Sequence, residues 1–282
     1  MMLHLTDHEA SGSVEAAESK ARISSAPGRL WSLLNMIYEK PRFSFNQVDK
    51  AGVCIRTGIQ GPPTTVLVNS FDILFNYRSA HSFPLNCMYM TLRRRATNVD
   101  KNALSAQRLK RLESILLKLH RNQHMQLSQM QDIGGCRAVV QSIKGVHSLV
   151  RSYKINPLKT HKLQGTKDYI ASPKPDGYRC VHLMYRFAGN SKSSPWDKLR
   201  IEIQIRTRLQ HSWATAVETV DTFTHEKLKI GKGSDDWRRF FQIVGSGHAI
   251  IENQPLVRGT PTDKEELKNE ILLLEKKTTS RF

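Results

Sequence analysis

The alternation of apolar and polar positions is clearest in Arg200–Ile201–Glu202–Ile203–Gln204–Ile205–Arg206–Thr207. A strand sends successive side chains to opposite faces, so Ile201, Ile203 and Ile205 share one face and Arg200, Glu202, Gln204 and Arg206 the other. Two readings fit this pattern: an edge strand with one solvated face, or a core strand that presents a carboxylate, two guanidiniums and an amide to a polyanion. The β-branched run Ala138–Val139–Val140 after Gly134–Gly135 predicts a buried strand. Residues 178–187 also alternate as a strand, after the turn-forming Ser172–Pro173–Lys174–Pro175–Asp176–Gly177. Leu112, Ile115, Leu116 and Leu119 recur with helical spacing and predict one helix over about 102–120. On it Lys110, Ser114 and Lys118 would form a separate polar stripe, either a solvated face or a phosphate-facing one.

Further helices are expected over 30–38, 70–80 with a break near Pro84, 144–153, 208–220, 234–251 and 262–277. Loops are expected over 57–65, over the Lys- and Thr-containing stretch after the 144–153 helix, and over 189–195. Strands interspersed with helices give an α/β class. Residues 1–28 are small, polar and aperiodic and are expected to be disordered. The rest divides into a helical extension (29–101), a core (102–225) and C-terminal helices (226–282).

The net charge of +18 and the pI near 10.0 point to polyanionic partners. The positive charge is partly clustered: Arg93, Arg94, Arg95, Lys101, Arg108, Lys110, Arg111, Lys118 and Arg121 are opposed locally only by Asp100 and Glu113. Cys54, Cys87, Cys136 and Cys180 have neither paired nor zinc-like spacing, which fits free thiols in a reducing cytoplasm. No stretch has the apolar core of a secretory signal or the length of a membrane span, so a soluble cytoplasmic protein is expected.

Taken together, Arg108–x–Lys110–x–x–x–Ser114–x–x–x–Lys118, Gln131–Asp132–Ile133–Gly134–Gly135–Cys136–Arg137, Lys167–Asp168–Tyr169–Ile170 with the Lys174–Tyr178 loop, and Glu202–Ile203–Gln204 followed by His211 resemble the synthetase domain of the RelA/SpoT family. That resemblance implies a nucleotidyltransferase-like mixed sheet flanked by helices. It also implies Mg²⁺-dependent transfer of a pyrophosphate from ATP to the 3′-hydroxyl of GDP or GTP, making (p)ppGpp and AMP. On the same resemblance Asp132 and Glu202 are the catalytic, metal-holding carboxylates, Glu202 serving as ligand, base or both. Arg108 and Arg137 would sandwich the adenine, and Lys110, Ser114 and Lys118 would hold the phosphates. On the acceptor side stand Tyr178, stacking on the base, with Lys174, Arg179, His182, Gln204 and His211. Read without the family, Asp132 is more often a turn or cap residue and Tyr178 a cross-strand packing residue. The chain departs from the family pattern at Asp176 (for Asn), Cys180 (for Ser) and Val217 (for Glu, which is displaced to Glu218). All three lie on the acceptor side and leave the acceptor open. A toxic small synthetase modifying the 3′ end of tRNA and held by an antitoxin is the alternative, and a non-catalytic nucleic-acid-binding protein the remote one. Homo-oligomerisation is compatible with the amphipathic last helix; no membrane partner is expected.

Overall fold

The strand at 200–207 is the middle of a five-stranded mixed sheet, so it is not the edge strand that alternation alone allowed. The strands are β1 (Leu104–Leu109), β2 (Gly134–Val140), β3 (Lys162–Asp168), β4 (Val181–Arg186) and β5 (Arg200–Thr207), in the spatial order β1-β2-β5-β4-β3. Only β2 and β5 run parallel; the other pairs are antiparallel. The structure, a computed structural model, describes residues 38–58, 65–158, 160–226, 228 and 231–279.

The helices are α1 (Phe45–Gly58), α2 (Thr65–Ala80), α3 (Ser82–Val99), α4 (Leu112–Arg121), α5 (Ile143–Ile155), α6 (Arg208–Thr224), α7 (Asp235–Ile251) and α8 (Lys264–Thr279). Leu85, Met88 and Leu92 of α3 and Val146 and Leu149 of α5 cover Ile201, Ile203 and Ile205 on one face of the sheet. A second cluster joins α1, α2 and α4 to Phe187, Trp196 and Leu199 at one end of the sheet, across the boundary drawn near residue 101. Trp213 and Val217 of α6 pack on Trp237 and Phe241 of α7 at the other end. The second face of the sheet lies between these two ends. No helix among the described residues is long and apolar enough to cross a membrane.

Three expectations are corrected. Residues 104–109 form β1, not the first half of a helix, because their backbone pairs with all of β2 from Leu104↔Val139 to Leu109↔Gly134. Such pairing overrides weak local preference. The helix begins at Leu112, so the apolar stripe stands, but Lys110 lies at the strand–helix junction and only Ser114 and Lys118 share the polar stripe. Residues 162–168, read as loop, form edge strand β3, exposed along most of its length and interrupted by a bulge between Leu163 and Gly165. With neither side buried, it has no alternation to read. The break placed at Pro84 falls at His81, and Pro84 sits in the first turn of α3, where no backbone N–H is needed. Helix α1 was not anticipated. The expectations for 1–28 and for all but Tyr38 of 30–38 lie outside the described residues; of the loop expected over 57–65, the described residues belong to α1 and α2.

Two glycines let α7 cross the 172–177 loop closely. Gly177 has φ +94° and a Cβ there would meet the Phe241 carbonyl at 2.7 Å, while a Cβ on Gly245 would lie 2.8 Å from the Gly177 Cα and oxygen. Backbone cannot retreat as a side chain can. Gly245→Ala should therefore destabilise the protein by about 1–3 kcal/mol in urea unfolding. Gly247→Ala, whose Cβ would meet Leu267 at 3.5 Å and Ile271 at 3.8 Å in ordinary contact, should be neutral or stabilising, by roughly 0.5–1 kcal/mol, as expected for a helical glycine.

Candidate active site

Cross-strand partners share a face of a sheet, so register assembles the polar face opposite the isoleucines. Arg108 pairs with Gly135 and Gly135 with Glu202, while Arg137 pairs with Gln204 and Gln204 with His182. Gly135 keeps the middle open: a Cβ there would approach only the Glu202 backbone oxygen, at 3.9 Å. The result is a cleft of about 130 Å³ lined by Arg108, Lys110, Asp132, Arg137, Glu202 and Gln204.

Asp132 enters the cleft from the turn before β2. Its two carboxylate oxygens accept from Lys110 Nζ at 2.9 Å and Lys118 Nζ at 2.8 Å. The junction after β1 is pinned: Lys110 N donates to Ile133 O at 2.8 Å and Arg78 Nε to Lys110 O at 2.7 Å. Burial alone raises the Asp132 pKa, but the two ammonium groups outweigh it and hold the carboxyl below its ordinary range. Ser114 lies one turn before Lys118 on α4.

Glu202 is held differently. His182 Nδ1 lies 2.9 Å from Oε1 and Gln204 Nε2 donates to Oε2 at 2.6 Å. His182 Nε2 in turn meets the Tyr178 hydroxyl at 2.8 Å, so one chain runs Tyr178–His182–Glu202–Gln204. Both side chains of the ion pair are only 12% exposed. Burial opposes a charged imidazole, yet the polar neighbours Cys180 and Glu202 raise the His182 pKa to about 9. Glu202 likewise resists burial, which would raise its pKa, because His182 and Gln204 lower it.

Beside these pairs lies a cationic patch. Burial and the neighbouring Arg206 and Arg108 lower the Arg137 pKa. Arg206 Nη2 donates to His211 Nδ1 at 2.9 Å in the first turn of α6, and burial and the Arg206 and Arg137 charges lower the His211 pKa. Val217 packs into the aromatic cluster, while the Glu218 charge reaches Arg137 and His211; one step along a helix turns the carboxylate toward the site. Asp176 accepts from Tyr178 N at 2.9 Å, a bond that an Asn oxygen would make equally well.

The structure brings Arg108, Lys110, Lys118, Asp132, Arg137, Tyr178, His182, Glu202, Gln204 and His211 to this face. Arg179 is not among them. It is 2% exposed and donates to the carbonyls of Ile170 and Pro255, because it shares the strand parity of Val181 and Leu183 and points away from the cleft. Lys174 Nζ sits 4.7 Å from the Tyr169 ring centroid and 4.9 Å from that of Tyr178. Sequence reasoning gave no role to Tyr169, whose only signal was its place in the Lys167–Ile170 motif, and it did not pair Arg206 with His211.

Residues 107–224 match the family described as the region found in RelA / SpoT proteins. GTP pyrophosphokinase YwaC of Bacillus subtilis (strain 168) is 34% identical over 117 residues, 38% of this chain and 52% of that protein. GTP pyrophosphokinase YjbM of the same organism is 33% identical over 111 residues, 38% of this chain and 51% of that protein. The chain thus spans about half the length of these curated relatives. The crystal structure of small alarmone synthetase 2 from Bacillus subtilis superimposes with a TM-score of 0.53 at 21% identity, covering 64% of this chain and 94% of that one, a likeness of fold. The stretch that resembles the RelA/SpoT family runs from within β1 to the end of α6 and carries both carboxylates of the cleft.

Proposed function

We propose that this protein transfers a diphosphate from ATP to the 3′-hydroxyl of GDP or GTP, giving (p)ppGpp and AMP. The observation that carries the reading is the placement of Asp132 and Glu202 in one cleft, between the Arg108/Arg137 guanidiniums and the Tyr178–His182 pair. The names of the two Bacillus relatives support the same activity.

The residues fit Mg²⁺. Two carboxylates that sense each other's charge, with no third acidic, His or Cys ligand grouped beside them among the described residues, suit an ion that completes its shell with water and substrate phosphates. Bound there, it would neutralise charge developing on the phosphoryl oxygens. Arg108 and Arg137 offer planar faces to the adenine, and Lys110 and Lys118, poised on Asp132, meet the phosphates. Tyr178 presents a ring to the acceptor base. Glu202, kept charged by His182 and Gln204, orients the 3′-hydroxyl and receives its proton as the oxygen bonds to the β-phosphorus. The bridge between the α- and β-phosphorus breaks, and AMP leaves. A second reading, transfer to the 3′ end of tRNA, is favoured by the +18 charge and by exposed Arg93 and Arg94; Arg95 is engaged with the carbonyls of Ser152 and Asn156.

With γ-labelled ATP and Mg²⁺, label should pass to GDP or GTP, and Asp132→Asn and Glu202→Gln should each lower transfer by roughly 100-fold or more without loss of fold. Label on deacylated tRNA and none on guanosine nucleotides would replace the first reading by the second. Arg108→Lys and Arg137→Lys keep the charge but lose the plane, so initial-rate kinetics should show KM for ATP rising more than KM for the acceptor. The raised His182 pKa also has a stability signature. A histidine titrating above its ordinary 6.5 contributes stability that is complete below pH 6.5 and is lost as pH rises through about 9. Thermal melting should fall across that window in the wild type and flatten in His182→Gln.

A further inference from the structure

The polar face carries, at the start of β5, a group of charges that the residues assigned above do not use. Arg200 stands directly opposite Arg186 of β4, and Arg186 opposite Lys162 of β3, so three cations cross the sheet in one row. Like charges directly opposite one another weaken a strand pair. Arg186 Nε is shielded from solvent and has no hydrogen-bond partner among the described residues. Among the described residues the Arg200 side chain makes one hydrogen bond, a 3.5 Å contact to the Gln129 carbonyl at the limit for such a bond. Burial and the Arg186 charge lower the Arg200 pKa, opposed by Tyr77 and by Asp49. Asp49, however, already accepts from Ser128 N at 2.7 Å and Ser128 Oγ at 2.9 Å. Among the described residues no carboxylate forms a hydrogen bond or an ion pair with Arg186 or Arg200.

The position of the row says which anion would suit it. Glu202 lies two residues along β5 on the same face, about 7 Å away at the rise of a strand. The neighbouring strand end is the one that Asp132 leads into, since Gly134 pairs with Ile201. We propose that Arg186 and Arg200 form a phosphate subsite that receives the distal phosphate of the 3′-diphosphate once it sits on the acceptor. This rests on the reading of the chain as a diphosphate transferase. Two guanidiniums suit a phosphate, which can accept paired N–H bonds from each, and the anion would relieve the repulsion that the free protein carries.

The test is titration calorimetry of the full chain with GDP, with ppGpp and with inorganic pyrophosphate. Arg186→Gln should weaken ppGpp and pyrophosphate binding by roughly 10-fold or more, as for loss of a charge-assisted bond, while GDP affinity stays within about twofold. Arg200→Gln should do the same and decides the matter if Arg186→Gln fails to fold. Arg186→Lys should recover part of the loss. The unliganded Arg186→Gln protein should melt no lower than wild type, because a like-charge pair has been removed. Equal weakening of ppGpp and GDP, or no change in their ratio, would overturn the subsite, as would a lowered Tm with that ratio intact. Arginine-dependent pyrophosphate binding in a chain that makes no (p)ppGpp would keep the subsite and discard the proposed activity. Synthesis of (p)ppGpp with an unaltered affinity ratio in both Gln variants would do the reverse.

Discussion

The constraint on which this molecule depends is the two-residue period of β5 at the centre of the sheet. Once Ile201, Ile203 and Ile205 are buried under α3 and α5, Arg200, Glu202, Gln204 and Arg206 have no choice of face. Parallel β2 then sets Gly135 and Arg137 on one side of Glu202 and Gln204, and antiparallel β4 sets Met184 and His182 on the other. A slip of one residue would carry Glu202 into the apolar layer, so the hydrophobic core enforces the register of the site.

On that frame each carboxylate has its own cations. Asp132 has two lysines from the β1–α4 junction, and Glu202 has a protonated histidine and an amide. Both stay ionised in a half-buried cleft because these partners oppose the penalty of burial. The arginines are compensated less well: burial and the Arg206 and Arg108 charges lower the Arg137 pKa. The face is therefore an electropositive surface holding two fixed negative points, a distribution suited to a polyphosphate carried with a divalent cation.

What could be read from the sequence followed the number of buried faces. β5 and β4 alternate because one side is apolar and the other polar, and α4 shows its stripe because Ile115 and Leu119 are buried. β1 and β3 are edge strands with little buried on either side, so neither has a period, and Lys110, Ser114 and Lys118 imitated a longer helix by their spacing. Within the site, motif residues on one parity of their strands converge. Arg179 does not, and its odd place beside Val181 and Leu183 in the β4 alternation already set it on the core side. The His182 bridge and the Arg206–His211 bond depend on register between strands and on the β5–α6 junction, which no local pattern encodes.

The edge strand β3 has a bearing on how copies of this chain meet. An exposed strand edge invites another strand to extend the sheet. Here the edge is short, carries Lys162 and Lys167, and is broken by the bulge between Leu163 and Gly165, which interrupts the run of evenly spaced backbone groups. Two such edges brought together would set lysine against lysine and bulge against bulge. The side of the molecule nearest the loop that carries Lys174 and Tyr178 is thereby kept from strand-to-strand association.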